Sequence, residues 1–307
     1  MKVLDGPVAG WAPQRPPNAV TIGVFDGVHI GHRSVLGKLT SLLLPSTVLT
    51  FDPHPAVVLS PGFEPRLITT IDERLALLEQ AGVDTVGVLD LAEVRRYPPE
   101  RFVSEVLLAK LGVRSLVVGA DFHFGRDRAG DVAYLRKAGE RHGFEVLVVD
   151  LVESAGVVSS TRIRRLIEAG DVSGAAALLG TRFRLSNDVV DGDKRGRLLG
   201  FPTANLRPPP GKVIPGNGVY AAFVEIGHQD RPSAVNVGVR PTFGASELLI
   251  EAYVLDFDGD LYGRELTVEF VEKLRPELEF DDIDDLVEQM TDDVARARLI
   301  LDSSVST

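Results

Sequence analysis

Between residues 20 and 180 the sequence alternates between short apolar runs and amphipathic stretches, and this alternation restricts the chain to a few folds. The apolar runs have the length and continuous hydrophobicity of strands that are buried on both faces of a parallel sheet. They are Ala19–Phe25, Thr47–Phe51, Thr85–Leu89, Ser115–Val118 and Glu145–Val149. Segments with helical spacing lie between them, at 32–43, 72–80, 99–111 and 131–142. The pattern predicts a doubly wound, Rossmann-like α/β sheet, in which ligands bind at the carboxyl ends of the strands.

From about residue 181 the pattern changes to apolar/polar alternation that is punctuated by glycine and proline. Regular short strands with such turns are typical of a small antiparallel β-barrel. The strand candidates are Phe183–Val190, Val219–Ile226, Ser233–Val239, Leu248–Phe257 and Leu266–Leu274. Helical spacing returns at 281–302, and the segment 160–180 is also helix-like. We therefore expect two domains, residues 1–180 and residues 181–307.

Composition excludes several classes of function. The chain has no cysteine, which rules out disulfides, thiolate catalysis and cysteine-ligated metals. Its net charge of −11 makes it a poor general binder of nucleic acid, because phosphate neutralisation needs clustered lysine and arginine. No apolar run approaches the length of a membrane span. We expect a cytoplasmic protein with small-molecule partners and neither a nucleic-acid nor a membrane partner, and its oligomeric state stays open.

The segment Thr21–His32 carries the clearest chemical signal in the first half. It predicts a buried strand, a glycine turn and a helix whose first turn holds His29 and His32 on one face. Gly27 and Gly31 lack a Cβ, so a ligand can approach the backbone closely. Because a helix N-terminus adds free N–H groups and a positive dipole end, these parts together predict a phosphate site. Two imidazoles there can stabilise the charge that develops during phosphoryl or nucleotidyl transfer.

Three further segments fall where loops or helix starts are expected. Ser159 or Ser160 can cap the helix that follows, and these serines could bind a triphosphate together with Thr161, Arg162 and Arg164. Two loops each follow a predicted strand and combine aromatic, proline or glycine residues in a way that suits a planar ring. Their candidate binding residues are Asp52, His54, Pro55, Asp121, Phe122 and Phe124.

The second half has one strong signal, between residues 192 and 206. Glycines spaced four apart, with three cations among them, predict a flexible basic loop over phosphates, and a Pro-Thr-Ala-Asn run follows. The candidates in this loop are Gly192, Arg195, Gly196, Arg197, Gly200 and Pro202. Thr203 and Asn205 are two apart, so on an extended segment they face the same way. A hydroxyl and an amide carbonyl are suitable ligands for Mg²⁺.

No Walker-type phosphate loop is present in the sequence.

Taken in order, these motifs resemble those of a known family. Residues 20–165 are similar to the adenylyltransferase domain of the bacterial bifunctional riboflavin kinase/FAD synthetases, and residues 200–205 closely resemble the riboflavin kinase signature. The resemblance implies that the N-terminal domain makes FAD from FMN and ATP by nucleotidyl transfer. It implies that the C-terminal barrel makes FMN from riboflavin and ATP, with Mg²⁺ required for both steps.

The resemblance also implies roles for individual residues. ATP would bind near His29, His32 and the Ser159–Arg164 segment, with the turn residues Gly23, Phe25, Asp26 and Gly31. FMN would bind at the two loops that carry His54 and Phe122. Glu251 stands at the place of the family's catalytic base, and Arg275 is a candidate for a flavin or phosphate contact. Tyr253 stands where many relatives carry histidine, which changes the setting of Glu251.

Two other functions stay open at this point. The first domain could be a nucleotidyltransferase that acts on a different phosphorylated acceptor, although the barrel argues against this. The chain could also be a flavin- or nucleotide-binding regulator without turnover. Retention of every candidate acid–base group and metal ligand argues against a binding protein alone.

Overall fold

The computed structural model describes residues 1–14, 17–60, 62–191, 196, 199–242 and 245–304. By internal contacts the chain divides into two compact units, Met1–Ser160 and Thr161–Thr307. Each unit is described by itself below.

The first unit is a parallel sheet with helices between its strands. Its strands are β1 (Lys2–Leu4), β2 (Asn18–Ile22), β3 (Ser46–Phe51), β4 (Thr85–Leu89), β5 (Val113–Gly119) and β8 (Glu145–Val149), and β6 (His123–Phe124) and β7 (Gly130–Asp131) form a small separate hairpin. The helices are α1 (Ile30–Thr40), α2 (Pro55–Leu59), α3 (Ile71–Gln80), α4 (Leu91–Val94), α5 (Pro99–Arg101, continuing as a π-helix over Phe102–Leu108) and α6 (Val132–His142). The strand order is β1-β4-β3-β2-β5-β8, and every pairing in it is parallel.

Strand order places three loops next to one another. The chain runs from β2 through β3 to β4 on one side, then crosses to β5 and β8 on the other side of β2. The loops that follow β3, β2 and β5 therefore leave the sheet at the carboxyl ends of adjacent strands. This reversal of direction is where open α/β sheets bind their ligands.

Alternating residues of the central strands supply a core on each face of this sheet. Val20 and Ile22 of β2 join the cluster that includes Leu107 and Leu116, whereas Ala19 joins the cluster of Leu36 and Val86. Because both faces are covered, β2 is buried along its whole length. The rigid centre of the sheet thus carries the loop that follows β2.

Helix α7 (Ser160–Ala169) starts at the last residue of the first unit, and its remainder opens the second unit, followed by α8 (Val172–Leu179). A closed antiparallel barrel follows, in the order β10-β13-β12-β11-β14-β9. Its strands are β9 (Phe183–Val190), β10 (Thr203–Leu206), β11 (Gly218–Ile226), β12 (Gln229–Thr242), β13 (Ala245–Val254) and β14 (Glu265–Arg275). Closure leaves no free strand edge in the barrel.

The last helix, α9 (Ile283–Ser304), packs on the outside of the barrel. Its Ala297 and Leu301 are fully buried in a cluster with Ala221, Phe223 and Leu274. An ion pair adds to this apolar contact, since Arg275 at the end of β14 bonds to Asp293 of the helix. An apolar contact and an ion pair therefore both hold the helix against the barrel.

The predicted fold class, a Rossmann-like parallel sheet followed by an antiparallel barrel with a terminal helix, is confirmed. The helix-like segment 160–180 is divided in two at Gly170, which has a φ of 84°. The predicted boundary between residues 180 and 181 stays a prediction, since the division by contacts lies at Ser160. Among the described residues, no helix combines the length and apolar character needed to cross a bilayer.

Candidate active sites

The loop after β2 is held in an unusual backbone conformation. Phe25, Gly27 and Val28 have φ angles of 55°, 80° and 40°, a region that β-branched residues rarely occupy. The fully buried Asp26 stabilises this conformation, because its carboxylate accepts hydrogen bonds from the backbone N–H of Ile68 and Thr69. The carboxylate of Asp26 thus bonds to the protein's own backbone at the base of the loop.

His29 and His32 form a stacked pair at the start of α1. Their rings lie 3.6 Å apart and are inclined by 15°. His29 is the N-cap of the helix, and its Nδ1 accepts a hydrogen bond from the backbone N–H of His32 at 3.3 Å. A neutral His29 whose Nδ1 accepts must carry its proton on Nε2. The second ring nitrogen is therefore a hydrogen-bond donor.

Burial keeps both imidazoles neutral near pH 7. His29 is 5% exposed, and this desolvation lowers its pKa from 6.5 to about 4, although the nearby Asp26 acts in the opposite direction. The pKa of His32 is lowered as well, first by burial and then by electrostatic interaction with His29 and with the cation of Arg74. A neutral imidazole can donate a hydrogen bond to a phosphate oxygen, but it adds no net positive charge.

Gly31 allows the close approach of the His29 ring. A Cβ at position 31 would lie 3.2 Å from Nδ1 and Cε1 of His29, which is tighter than ordinary packing. By contrast, a Cβ at Gly37 of the same helix would meet no atom within 4 Å. The glycine predicted to admit a ligand thus also leaves space for the histidine beside it.

The loop after β3 leads directly into the short helix α2. The Asp52–Pro53 peptide bond is cis, and Asp52 is exposed. His54 caps α2, since its Nδ1 accepts from the N–H of Ala56 at 3.1 Å, and Pro55 takes the first helical position. Because Nδ1 of His54 accepts the capping bond, Nε2 is the other polar atom of this ring.

The loop after β5 rests on a set of aromatic rings. Phe124 is buried among Phe102 and Tyr134, and Phe122 stacks on it with ring centroids 5.8 Å apart. Phe122 is partly exposed and Asp121 is exposed. Phe124 therefore belongs to the core, and Phe122 and Asp121 are the parts of this loop that a ligand can reach.

Ser160 makes a hydrogen bond to the loop after β2. Its hydroxyl donates to the backbone carbonyl of Asp26 at 2.9 Å. Ser159 precedes it and is partly buried. Thr161, Arg162 and Arg164 lie on the first turns of α7, within the second unit. The structure thus ties the serine end of this predicted motif to the histidine loop.

Sequence reasoning missed Arg74. It lies on α3, is fully buried, and its Nη1 donates to the carbonyl of Phe51 at 2.9 Å. A signal for it does exist in the sequence: the arginine stands four residues before Leu78, on the apolar stripe of the helix. A cation on the buried face of a helix indicates a polar interior nearby.

In the barrel, Glu251 is flanked by two asparagines on neighbouring strands. It lies directly opposite Asn205 of β10 and directly opposite Asn236 of β12. Residues that face each other across antiparallel strands share one face of the sheet. The Nδ2 of Asn236 donates to Glu251 Oε2 at 3.4 Å. These three side chains thus form a polar row across the barrel wall.

Asn205 has an unusual polar environment. It is 5% exposed, and its Oδ1 is buried with no hydrogen-bond partner among the described residues. Thr203 precedes it by two positions on β10, on the same face. A buried amide oxygen without a partner is costly, which is the condition expected of an oxygen that ligates a cation.

Two cavities adjoin this row, and Thr203 lines both. The smaller one, about 350 Å³, is lined by Asn236 and Glu251 and by the aromatic residues Phe201, Tyr253 and Phe280. The larger one, about 450 Å³, includes Asn205 and Pro202 in its lining, with residues 257–262 on another side. The barrel therefore offers an aromatic cavity and a more polar cavity that share Thr203 in their linings.

Arg275 lines the smaller cavity, but its guanidinium is engaged. It bonds to both carboxylate oxygens of Asp293 at 2.8 to 3.0 Å, and its Nη1 donates to the carbonyl of Pro276. Arg275 thus fixes α9 at the border of the cavity.

The basic loop is described only in part. Gly192, Arg195 and Arg197 lie outside the described residues. The carbonyl of Gly196 accepts from the N–H groups of Leu199 and Phe201, which closes a turn before Pro202. Gly200 has a φ of 89°, a conformation that favours glycine.

Comparison with known proteins gives a match over each half of the chain. Residues 12–162 match the family model described as FAD synthetase, and residues 179–301 match the model described as riboflavin kinase. A relative from Pseudomonas fluorescens named "Bifunctional riboflavin kinase/FMN adenylyltransferase" is 41% identical, covering 94% of each chain. A relative of the same name from Bacillus subtilis is 32% identical over 92% of each chain.

A solved structure is also similar over nearly the whole length. It is described as a macrolide-efflux protein from Streptococcus pneumoniae and is 31% identical, with a TM-score of 0.91. The match covers 97% of this chain and 99% of that chain.

Proposed function

The chain belongs to the family of bifunctional riboflavin kinases/FMN adenylyltransferases, and we propose that the two constellations described above carry its two activities. The C-terminal part phosphorylates riboflavin to FMN, and the N-terminal part adenylylates FMN to FAD. The assignment of residues rests on one observation: the two sets of candidate residues lie on different sheets. The stacked histidines lie on the parallel sheet, whereas Glu251 and its asparagines lie on the barrel.

The functional boundary is placed between residues 180 and 181, so that α7 and α8 belong with the adenylyltransferase. The hydrogen bond from Ser160 to the histidine loop supports this placement. The two family matches leave residues 163–178 between them. The adenylyltransferase domain is then 1–180, and the kinase domain is 181–307.

For the kinase, Glu251 acts as the general base. It takes the proton from the riboflavin 5′-hydroxyl while that oxygen attacks the γ-phosphorus of ATP, and ADP leaves. The hydrogen bond from Asn236 holds the carboxylate in place during this step. Because Glu251 must reach the hydroxyl, the flavin occupies the cavity that Glu251 lines. The rings of Phe201, Tyr253 and Phe280 there suit a planar ligand.

ATP occupies the larger cavity, on the side of Asn205. The hydroxyl of Thr203 and the Oδ1 of Asn205 are the oxygens that would hold Mg²⁺, and the missing partner of Oδ1 supports this. When bound, Mg²⁺ neutralises charge on the phosphates. That Thr203 lines both cavities supports a position for it beside the reacting hydroxyl and γ-phosphate. The remaining ATP and flavin contacts of the kinase come from the loop and turn residues Gly192, Arg195, Gly196, Arg197, Gly200 and Pro202.

For adenylyl transfer, an oxygen of the FMN phosphate attacks the α-phosphorus of ATP, and pyrophosphate leaves. His29 donates a hydrogen bond from Nε2 to a phosphate oxygen, and His32 supports it through the ring stack. No protein nucleophile takes part, since positioning and charge stabilisation supply the catalysis.

Other parts of the first half bind the two substrates. ATP contacts come from Gly23, Gly31 and the Ser159–Arg164 segment, with the loop that Phe25 and Asp26 shape. FMN contacts come from the loops after β3 and β5, with Asp52, His54 and Pro55 on one and Asp121 and Phe122 on the other. Phe124 supports Phe122 from below.

The test is a chromatographic assay of flavins after incubation of the purified chain with riboflavin, ATP and Mg²⁺. Riboflavin should convert to FMN and then to FAD, and EDTA in excess over Mg²⁺ should stop both steps. A parallel reaction that starts from FMN isolates the second step. No conversion from either flavin would overturn the proposal, and full activity in EDTA would overturn the metal requirement.

A further inference from the structure

Helix α3 carries a charged residue in the core of the first unit. Arg74 and Leu78, one turn apart, are both fully buried, and Arg74 is the largest fully buried side chain among the described residues. Arginine is almost never completely buried unless its charge is compensated. None of the roles assigned above uses this side chain.

The guanidinium joins the two loops that would bind the reacting phosphates. Its Nη1 donates to the carbonyl of Phe51 at 2.9 Å and contacts the hydroxyl of Thr50 at 3.4 Å. The same hydroxyl donates to the carbonyl of Val24 at 2.9 Å. Val24 lies in the histidine loop, and Phe51 directly precedes Asp52. One short chain of hydrogen bonds therefore spans the carboxyl ends of β2 and β3.

The charge of Arg74 has a defined setting. Burial lowers its pKa, whereas the carboxylates of Asp26 and Asp52 raise it, and a guanidinium remains protonated at any working pH. Its Nε and Nη2 are buried without a hydrogen-bond partner among the described residues. The positive charge is therefore only partly compensated, and it is close enough to His32 to disfavour protonation of that ring.

We propose that Arg74 is a positioning residue for adenylyl transfer, which holds the histidine loop against the Asp52 loop and places a fixed positive charge behind the phosphate site. This inference rests on the proposed assignment of adenylyl transfer to the first domain. Arg74 acts through Thr50, Phe51 and the histidine pair, since it is fully buried.

The pH profile distinguishes this role from a merely structural one. His32 is faced by His29 and Arg74, and His29 is faced by Asp26. Replacing Arg74 by a neutral residue removes one of the positive neighbours that lower the pKa of His32. The acid limb of the rate profile should then move to higher pH, whereas Arg74→Lys, which keeps the charge, should leave it in place.

The experiment measures kcat and KM for FAD formation from FMN and ATP, with riboflavin phosphorylation as the internal reference. We expect Arg74→Met to lower kcat about 100-fold with a smaller change in KM, and to shift the acid limb upward. Arg74→Lys should lose about tenfold, because the ammonium group cannot make the same forked contacts. Riboflavin phosphorylation should stay within about twofold of wild type in both variants.

Two further variants keep the test decisive if Arg74→Met does not fold. Thr50→Val removes the hydroxyl between Arg74 and Val24 without changing shape, so it should lower kcat several-fold and leave the acid limb unmoved. Leu78→Ala, on the same face of α3, is the control for lost stability, and kcat should stay near wild type below its melting temperature.

The inference fails if Arg74→Met retains the wild-type kcat and pH profile, or if Leu78→Ala reproduces its effects. If Arg74→Met cannot be prepared, wild-type kinetics in both Arg74→Lys and Thr50→Val overturn it. A wild-type chain that does not adenylylate FMN would instead overturn the function on which the inference rests.

Discussion

The two domains handle phosphate with opposite structural means. In the proposed assignment, the first uses loops at the ends of parallel strands, which carry backbone groups, two neutral histidines and a buried arginine. The second builds its site on the strands of a closed barrel, where a carboxylate is set between two amides. The difference follows from the chemistry. A phosphate nucleophile needs no base, whereas a riboflavin hydroxyl must lose a proton.

The largest expected effect sharpens this contrast on the barrel side. Glu251→Gln keeps the shape of the side chain and removes its basicity, so FMN formation should fall about 1,000-fold. FAD formation from added FMN should stay within about twofold of wild type. Both rates can be read from one chromatographic assay. Equal loss of both rates in a folded variant would break the division of labour.

The next effect concerns stability. Asp293→Asn leaves Arg275 without its buried counter-charge, which should cost about 3 kcal/mol of unfolding free energy in the barrel. Denaturant titration followed through riboflavin phosphorylation measures it. The matched control is Asp256→Asn, which breaks the exposed pair with Arg298 and should change stability by less than about 1 kcal/mol. Equal losses of unfolding free energy in the two variants would show that the Arg275–Asp293 pair is not buried in solution.

On the side of the parallel sheet, His29→Asn removes one phosphate donor. Adenylyl transfer should fall about 100-fold, since loss of one positioned donor typically has this size. Riboflavin phosphorylation should be unchanged. Steady-state kinetics of each half-reaction provide the measurement, and undiminished FAD formation would remove His29 from the proposed site.

A smaller effect tests the space beside the His29 ring. Gly31→Ala places a methyl group against that ring and should lower kcat/KM for adenylyl transfer about tenfold. Gly37→Ala on the same helix meets open space, so it should leave the rate unchanged and stabilise the helix slightly. If the two variants behaved alike, the close approach of Gly31 and His29 would have no functional weight.

The last effect, a pH dependence of stability, is small near pH 7 and grows as the pH falls. His29 has a pKa of about 4 in the fold against 6.5 when unfolded, so its neutral form favours the folded state above pH 6.5. As pH falls from 6.5 towards 4, the unfolded chain takes up this proton first, and the wild type loses stability relative to His29→Asn. Chemical denaturation of both proteins across this range measures the difference. A constant difference would contradict the depressed pKa.

Local pattern predicted most of the fold because the signals are short in range. The strands Thr85–Leu89 and Glu145–Val149 end where continuous hydrophobicity ends. Pattern did not indicate β1, a three-residue edge strand that pairs with β4 and buries Leu4 in the core. It also did not divide the segment 160–180, where Gly170 and Asp171 separate two helices.

The sequence indicated candidate site residues mainly where a polar side chain stands within a marked motif. His29, Glu251 and Asn205 are polar side chains in marked motifs, and the structure places them beside cavities or helix ends. Residues that act through tertiary contacts were harder to interpret. Asp26 looks like a ligand contact in sequence but bonds to residues 68–69, and Arg275 is held by Asp293. Such partners lie 18 or more positions away along the chain, so spacing alone does not indicate them.

Closure of the barrel has a consequence for how this sequence can vary. Glu251 faces Asn205 and Asn236 because three strands are paired in one register. An insertion of one residue within β13 would turn Glu251 to the opposite face while leaving the ladder hydrogen bonds intact. The same insertion at Gly227 and His228, in the turn between β11 and β12, would leave the register of the polar row untouched. Related sequences should therefore differ in length at the turns of the barrel, and keep a constant count of residues between Thr203 and Leu206 and along β13.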